Sequence, residues 1–282
     1  MNLSIIIVAY NNGDELKECL DSIFENNDLG DDLEVIVVDN SPDDKVEKNI
    51  ATYNDIKFIK NPDNGFGRGN NIGYQNSSGK YLLFLNPDTL ITSQCFKNLI
   101  SLYLTDSHIG MAGVKLIDAQ GKENNSYNIR LKYGLFKKIL LMVNRRFGFF
   151  ISRLMYTCGA DIFTDRETFE QIGFFDENIF MYGEEEDIAY RLDKINKRIA
   201  YFRQISIVHL QGKSSGHREL TNRKRMAISS EYICNKYGFD FKKQIKKEIR
   251  AMNIINMMNR VRKKEPKYSL EVLDYYKSLV ES

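Results

Sequence analysis

Three apolar runs in the first ninety residues share one kind of ending, and that ending limits what the chain can fold into. Leu3-Ser4-Ile5-Ile6-Ile7-Val8-Ala9 is a nearly unbroken β-branched run closed by Tyr10-Asn11-Asn12-Gly13. Leu33-Glu34-Val35-Ile36-Val37-Val38 closes at Asp39-Asn40-Ser41-Pro42, and Lys80-Tyr81-Leu82-Leu83-Phe84-Leu85 closes at Asn86-Pro87-Asp88. Runs without polar alternation suit strands covered on both faces, as in a parallel sheet. Between the first two, Leu16, Cys19, Leu20, Ile23 and Phe24 recur at helical spacing behind Asp14 and Glu15, acids well placed for a helix N-terminus. Alternating strands and helices predict right-handed βαβ units, and so an α/β fold with a mainly parallel sheet flanked by helices.

Further on the pattern loosens. Ile56 to Ile59 reads as a third strand, leading to a glycine-rich turn and a helix through Tyr74. Beyond Asp88, Phe96, Leu99, Ile100 and Tyr103 fall at helical spacing, and Met111 to Leu116 reads as another strand. A carboxylate-rich helix is expected from Glu184, then two closing strands, Ile199–Phe202 and Ile205–Val208, ending at His209. From His217 onward, Met226, Ile233, Ile245, Ile249, Met252 and Ile255 mark helices. Residues 1–215 read as one α/β domain with halves 1–90 and 91–215 and a basic insertion at 131–155. Residues 216–282 read as a helical, basic C-terminal region.

The 282 residues suffice for one sizeable domain plus an appendage. No opening segment has the order of a secretory signal, and no apolar run approaches the roughly 20 residues that span a bilayer. Cys19, Cys95, Cys158 and Cys234 show neither CxxC nor metal spacing, which favours free thiols in a reducing cytosol. The net charge of +2 hides an asymmetry: the first sixty residues are acidic, Lys132 to Arg153 carries no acid, and Lys242 to Lys264 carries only Glu248. Both basic stretches interleave Leu, Ile, Phe or Met. That suits an anionic membrane surface, and equally a solvated helix face. A nucleic-acid-binding protein would explain the basic C-terminal region but not the acidic first third or the carboxylates near Glu184, so no nucleic acid is expected as a partner.

Tyr10-Asn11, Asp39 and Asp88 all fall at carboxyl ends of expected strands, the edge of an open α/β sheet where ligands bind. Asp39 is suited there to accept hydrogen bonds from a nucleobase or ribose, and Asp88 to hold a divalent cation on a phosphate. Alone, Asn86-Pro87-Asp88 is also the composition of an ordinary turn. The segment from Asn61 through Asn64-Gly65-Phe66-Gly67-Arg68-Gly69-Asn70-Asn71 to Gly73 offers backbone N–H groups and one guanidinium near a helix start, which suits a diphosphate. A dinucleotide fingerprint fails on spacing, since position 70 is Asn, and on place, since the segment follows the third strand. Four adjacent acids, Glu184, Glu185, Glu186 and Asp187, repel one another unless the fold or a helix N-terminus holds them. Glu184 and Asp187 share a helix face, so one carboxylate of the group can face a site while others bind structure. His209, ending a β-branched run, is a metal ligand or a satisfied core residue.

In order and spacing these motifs resemble family 2 of the inverting glycosyltransferases, with the GT-A fold, and especially its rhamnosyltransferase-like bacterial members. The resemblance covers about residues 3–215. It implies that Ala9, Tyr10 and Asn11 open the nucleotide-sugar site, that Asp39 meets the base, and that Asn64, Gly65, Arg68 and Asn71 belong to the donor segment. Asn86-Pro87-Asp88 falls where the family has its metal-binding Asp-x-Asp, so Asn86 and Asp88 border the donor. Asp88 and His209 are the implied ligands of Mg²⁺ or Mn²⁺. Gly159, Ala160 and Asp187 fall in the acceptor-side block that ends in the catalytic Glu-Asp pair.

Two positions depart from that pattern. Asn86 replaces the first Asp, as in the rhamnosyltransferase-like members, and the expected Glu-Asp pair is Glu184-Glu185. By position Glu185 is the implied base, with Glu184 the alternative. The resemblance implies transfer of a sugar from dTDP-rhamnose or a UDP-hexose to a hydroxyl of a growing surface polysaccharide or lipid-linked glycan, such as one on a polyprenyl carrier. The scattered cysteines and the two basic stretches lead to the expectation of a cytoplasmic protein in peripheral contact with the anionic inner face of the cell membrane. A catalytically inactive scaffold that binds nucleotide or glycan is the reading the two departures leave open.

Overall fold

The computed structural model describes residues 2–61, 65–124, 126–130, 149–210 and 219–281. The chain divides into two compact units, Met1–Asn128 with Phe150–Lys213, and Ile129–Phe149 with Ser214–Ser282. The fold of the first follows from its buried runs. They become β1 (Leu3–Ala9), β2 (Leu33–Asp39), β3 (Ile56–Lys60) and β4 (Tyr81–Leu85), with α1 (Gly13–Glu25), α2 (Lys45–Ile50) and α3 (Phe66–Gln75) between them. After these come β5 (Thr89–Leu90), α4 (Phe96–Tyr103), β6 (Ile109–Ile117), β7 (Tyr127–Ile129) and β8 (Met155–Thr157). The unit closes with β9 (Asp161–Asp165), α5 (Arg166–Gln171), α6 (Glu184–Lys194) and β10 (Arg198–His209).

One sheet in the order β3-β2-β1-β4-β9-β6-β10-β5 organises the unit. Its first four strands are parallel, in register Ile5↔Val35 and Ile5↔Leu83, as the sequence predicts. The rest is mixed: β9 runs antiparallel to both β4 and β6, and β5 antiparallel to β10. Alternate residues of β1 feed different cores. Leu3, Ile5 and Ile7 pack with Leu16, Leu20 and Ile23 of α1, while Ile6 packs with Ile36, Val38 and Phe84 on the other face. Each such aliphatic side chain contributes about 1.5–3 kcal/mol by leaving water.

The glycine-rich segment meets that second face. A Cβ on Gly69 would lie 2.9 Å from Val8 Cγ1, and one on Gly73 would overlap Ile6 Cγ2. Glycine at i and i+4 lets α3 lie directly against β1. The sequence reading assigned these glycines to phosphate binding; their placement gives them a packing role as well.

Ile199–Phe202 and Ile205–Val208 are one strand, not two. Pairing with β6 jumps from Phe202↔Val114 to Ser206↔Lys115, so the residues around Arg203-Gln204 form a bulge in β10. The polar interruption between the two expected strands is absorbed without the chain reversing.

The second unit holds α7 (Glu219–Tyr237), α8 (Phe241–Val261) and α9 (Leu270–Glu281). Ile245 and Met252 of α8 pack with Val272, Leu273 and Tyr276 of α9. Asp240 caps α8 by accepting from the Lys243 N–H at 2.8 Å. Among the described residues no helix is long and apolar enough to cross a membrane. Most of the basic insertion expected at 131–155, namely 131–148, lies outside the described residues.

Candidate functional site

The carboxyl ends of β1, β2 and β3 are tied by short polar bonds. Ala9 ends β1 buried, and its carbonyl accepts the Asn40 N–H at 2.9 Å. Tyr10 is 45 % exposed, and Asn11 turns at φ 54° with its N–H donating to Ser41 Oγ at 2.8 Å. Asp39 is fully buried. Its Oδ1 accepts the Ser41 N–H at 2.9 Å and its Oδ2 accepts Lys60 Nζ at 2.7 Å. Lys60 follows from register, since it pairs with Asp39 across β2 and β3. Nothing in the sequence marks Lys60, because strand register is not visible in one sequence.

The glycine-rich segment is also fixed from the opposite side of α3. Gly65, at φ 90°, precedes the helix and has no room for a Cβ against the Phe180 carbonyl, which accepts the Phe66 N–H at 3.0 Å. Asn71 is buried and works as a strut. Its Nδ2 donates to the Phe175 carbonyl at 3.0 Å and to Glu177 Oε1 at 3.1 Å, and its Oδ1 accepts the Phe175 N–H at 3.0 Å. Arg68 reaches Glu177 at 3.7 Å with about half its side chain exposed, a loose surface pair. Asn64 lies outside the described residues.

Asn86 carries the chain from β4 toward β5. Its N–H donates to the Ala160 carbonyl at 2.9 Å, and its own carbonyl accepts Thr89 Oγ1 at 2.7 Å. Cys19 Sγ lies 3.8 Å from that carbonyl, and burial pushes its thiol up to about 12. Asp88 Oδ1 stands 3.4 Å from His209 Nε2, and the Leu210 N–H donates to the Asp88 carbonyl at 2.9 Å. His209 Nδ1 is buried with no hydrogen-bond partner. Among the described residues no three His, Cys, Asp or Glu side chains gather as a metal cluster. Asp88 and His209 are therefore a two-member donor set. An oxygen and an imidazole nitrogen 3.4 Å apart are close enough to take adjacent positions on one Mg²⁺ or Mn²⁺, an ion that keeps its remaining positions for water and phosphate oxygens.

α6 sorts its four opening acids by helical periodicity. Asp187 is fully buried and held by Arg191 one turn on, with Nε to Oδ2 at 2.8 Å and Nη2 to Oδ2 at 2.7 Å. Arg191 also donates to the carbonyls of Ile172 and Phe174. Asp187 thus braces the loop before the helix. Glu186 Oε1 accepts the Tyr190 hydroxyl at 3.1 Å. Glu184 is buried with Oε1 unpartnered, and burial, then the charge of Glu185, drives its carboxyl well above the ordinary glutamate range. Glu185 keeps part of its surface and reaches Gly159, where an added Cβ would collide with its Oε1. Burial raises its carboxyl as well, opposed by hydrogen bonds from backbone N–H groups of Glu185, Gly159 and Gly183.

These contacts link the two halves of the site. Gly159 carries Glu185, and Ala160 holds Asn86, two residues before Asp88. Ala9 and Asp39 lie at, and Asn86 and Asp88 follow, the carboxyl ends of neighbouring parallel strands. A model of glycosyl transferase family 2 matches residues 4–164, more than half the chain. The chain belongs to glycosyl transferase family 2.

Relatives agree with that membership. The chain is 26 % identical to the low-salt glycan biosynthesis hexosyltransferase Agl10 of Haloferax volcanii over 216 residues, 74 % of this chain and 67 % of the relative. It is 25 % identical to rhamnosyltransferase WbbL of Escherichia coli over 222 residues, 73 % of this chain and 82 % of the relative. A mannosyltransferase of Pyrobaculum calidifontis, solved with GDP-Man and Mn²⁺, superposes with TM-score 0.61 at 15 % identity, over 99 % of this chain and 83 % of that one. GalNAc-T7, solved with UDP, GalNAc and Mn²⁺, superposes with TM-score 0.59 at 16 % identity, over 81 % of this chain and 47 % of that one. The fold is GT-A and the chain is a glycosyltransferase.

Proposed function

We propose that the chain is an inverting, metal-assisted glycosyltransferase that moves a sugar from a nucleotide-sugar donor to a hydroxyl of a growing glycan. One observation carries the reading: the chain of contacts from Glu185 through Gly159 and Ala160 to Asn86 and the Asp88–His209 pair. Asp88 and His209 would hold the divalent cation, which supplies charge neutralisation at the donor diphosphate when bound. Tyr10, Asp39 and Arg68 would border the nucleotide. Glu185 accepts the acceptor hydroxyl proton while that oxygen forms its bond to the anomeric carbon. The bond to the diphosphate oxygen breaks with its electron pair leaving on the nucleotide. A single in-line displacement inverts the anomeric centre.

Of the two glutamates, Glu185 is half-buried as a residue whereas Glu184 is buried, which favours Glu185 as the one an acceptor meets. A raised carboxyl suits a base working near neutral pH. The names of the relatives, a rhamnosyltransferase and a hexosyltransferase of glycan biosynthesis, support a rhamnose or hexose as the sugar moved and a glycan as its destination. Within that class we take dTDP-rhamnose or a UDP-hexose as donor and a surface or lipid-linked glycan as acceptor. Calorimetric titration with UDP, dTDP and GDP, each with and without Mn²⁺, tests the donor site. One nucleotide should bind in a metal-dependent manner, with Asp88→Ala weakening it about ten-fold or more. Absence of binding by all three would instead favour an inactive scaffold.

A further inference from the structure

We propose that the outward face of α8 docks on an anionic lipid surface. Ile245 and Met252 turn inward onto α9, so the opposite side of the helix faces away from that core. There Ile254, Met257, Met258 and Val261 are 52, 60, 44 and 79 % exposed. Their spacing puts all four on one side of the helix. The same side carries Lys243, Lys247 and Arg250 in the preceding turns, and exposed Arg262 and Lys263 follow the helix. Glu248, the one acid of the helix, acts on Tyr268 and Tyr276, which belong to the inward side.

Four adjacent exposed aliphatic side chains are costly in water, and they sit between two groups of cations. A helix lying flat on a bilayer would bury such side chains at the acyl boundary while its lysines and arginines meet lipid phosphates. At about 1.5 Å per residue, the twenty-one-residue helix offers roughly 30 Å of such contact. A second copy is a poor occupant, because antiparallel pairing of these faces would set cations against cations. Nucleic acid would meet the lysines but leave the apolar half uncovered.

Vesicle flotation of the full chain tests this, using phosphatidylcholine alone and phosphatidylcholine mixed with phosphatidylglycerol. The chain should float with the mixed vesicles at low salt, and weakly or not at all with phosphatidylcholine. Raising salt should release it. Ile254→Gln with Met258→Gln should weaken binding about ten-fold or more, and Lys243→Glu with Arg250→Glu should do the same and flatten the salt dependence. Leu104→Gln, at an exposed apolar position of the other unit, should leave binding unchanged. Nucleotide affinity should be intact in all three variants, which separates this outcome from failure of the donor site. No flotation at low salt, or flotation that survives the apolar variant, would overturn the proposal. So would a dimer in sedimentation equilibrium that the apolar variant abolishes.

Discussion

The Glu185 carboxylate occupies the space that a Cβ on residue 159 would need. The glycine at that position therefore sets where the proposed base can stand. It belongs to a short segment that joins β8 to β9, and β9 lies beside β4 in the sheet. The base is thus positioned by the same strand pair that positions Asn86.

From this relationship, Gly159→Ala should lower kcat by about 100-fold while leaving donor affinity within a few-fold, because displacement of a reacting group by about 1 Å costs that much. Steady-state kinetics together with nucleotide titration would separate the two. Equal losses in kcat and in nucleotide affinity would mean that Gly159 supports the whole site rather than the base.

The buried glutamate makes a prediction about pH. Glu184 titrates above its unfolded value, so between those two values the folded state binds more protons than the unfolded one. Its stabilising contribution is complete below the unfolded value and is lost as pH rises through the folded one. Glu184→Gln should therefore be more stable than wild type at pH 8, with the difference shrinking toward pH 5. Urea midpoints across that range would read it. A wild-type advantage at pH 8 would show that the charged carboxylate is satisfied.

Glu185 shapes activity in the same pH range. Once protonated it cannot accept a proton, so kcat/KM should fall with falling pH along a limb set above that of an ordinary glutamate. An acid limb at the ordinary glutamate position would contradict the burial of this carboxyl.

The contact between α3 and β1 makes a stability prediction. Gly73→Ala should destabilise by about 1–3 kcal/mol through overpacking against Ile6, despite alanine's better helix propensity. Ile6→Leu removes the Cγ2 methyl that the new Cβ would strike. The double variant should then be more stable than the sum of the single effects. Chemical denaturation of the four proteins checks this. Additive effects would place the strain elsewhere.

What could be read from the sequence depended on how local its cause was. β1, β2 and β4 are legible because burial on both faces removes polar alternation from a short run, whatever surrounds it. The acids opening α6 are legible as a group, since charge repulsion and a helix N-terminus are local matters. The division of labour among them is not. Asp187 binds Arg191, and Glu185 finds Gly159, only because of where two distant segments come to rest. Asn71 likewise reads as a donor contact in its motif, yet its side chain is engaged with Phe175 and Glu177 more than a hundred residues away. The direction of β9 was hidden for a similar reason, since it depends on pairing with β4, a strand distant in sequence.

In the proposed reaction Glu185, and not Glu184, removes the acceptor proton. Single-turnover transfer by Glu185→Gln and Glu184→Gln, each with its donor affinity measured alongside, tests it most directly. Glu185→Gln should lose transfer by about 1,000-fold or more with donor binding intact, while Glu184→Gln should keep transfer within about ten-fold. Near-normal turnover by Glu185→Gln, or the reverse ranking of the two variants, would contradict it.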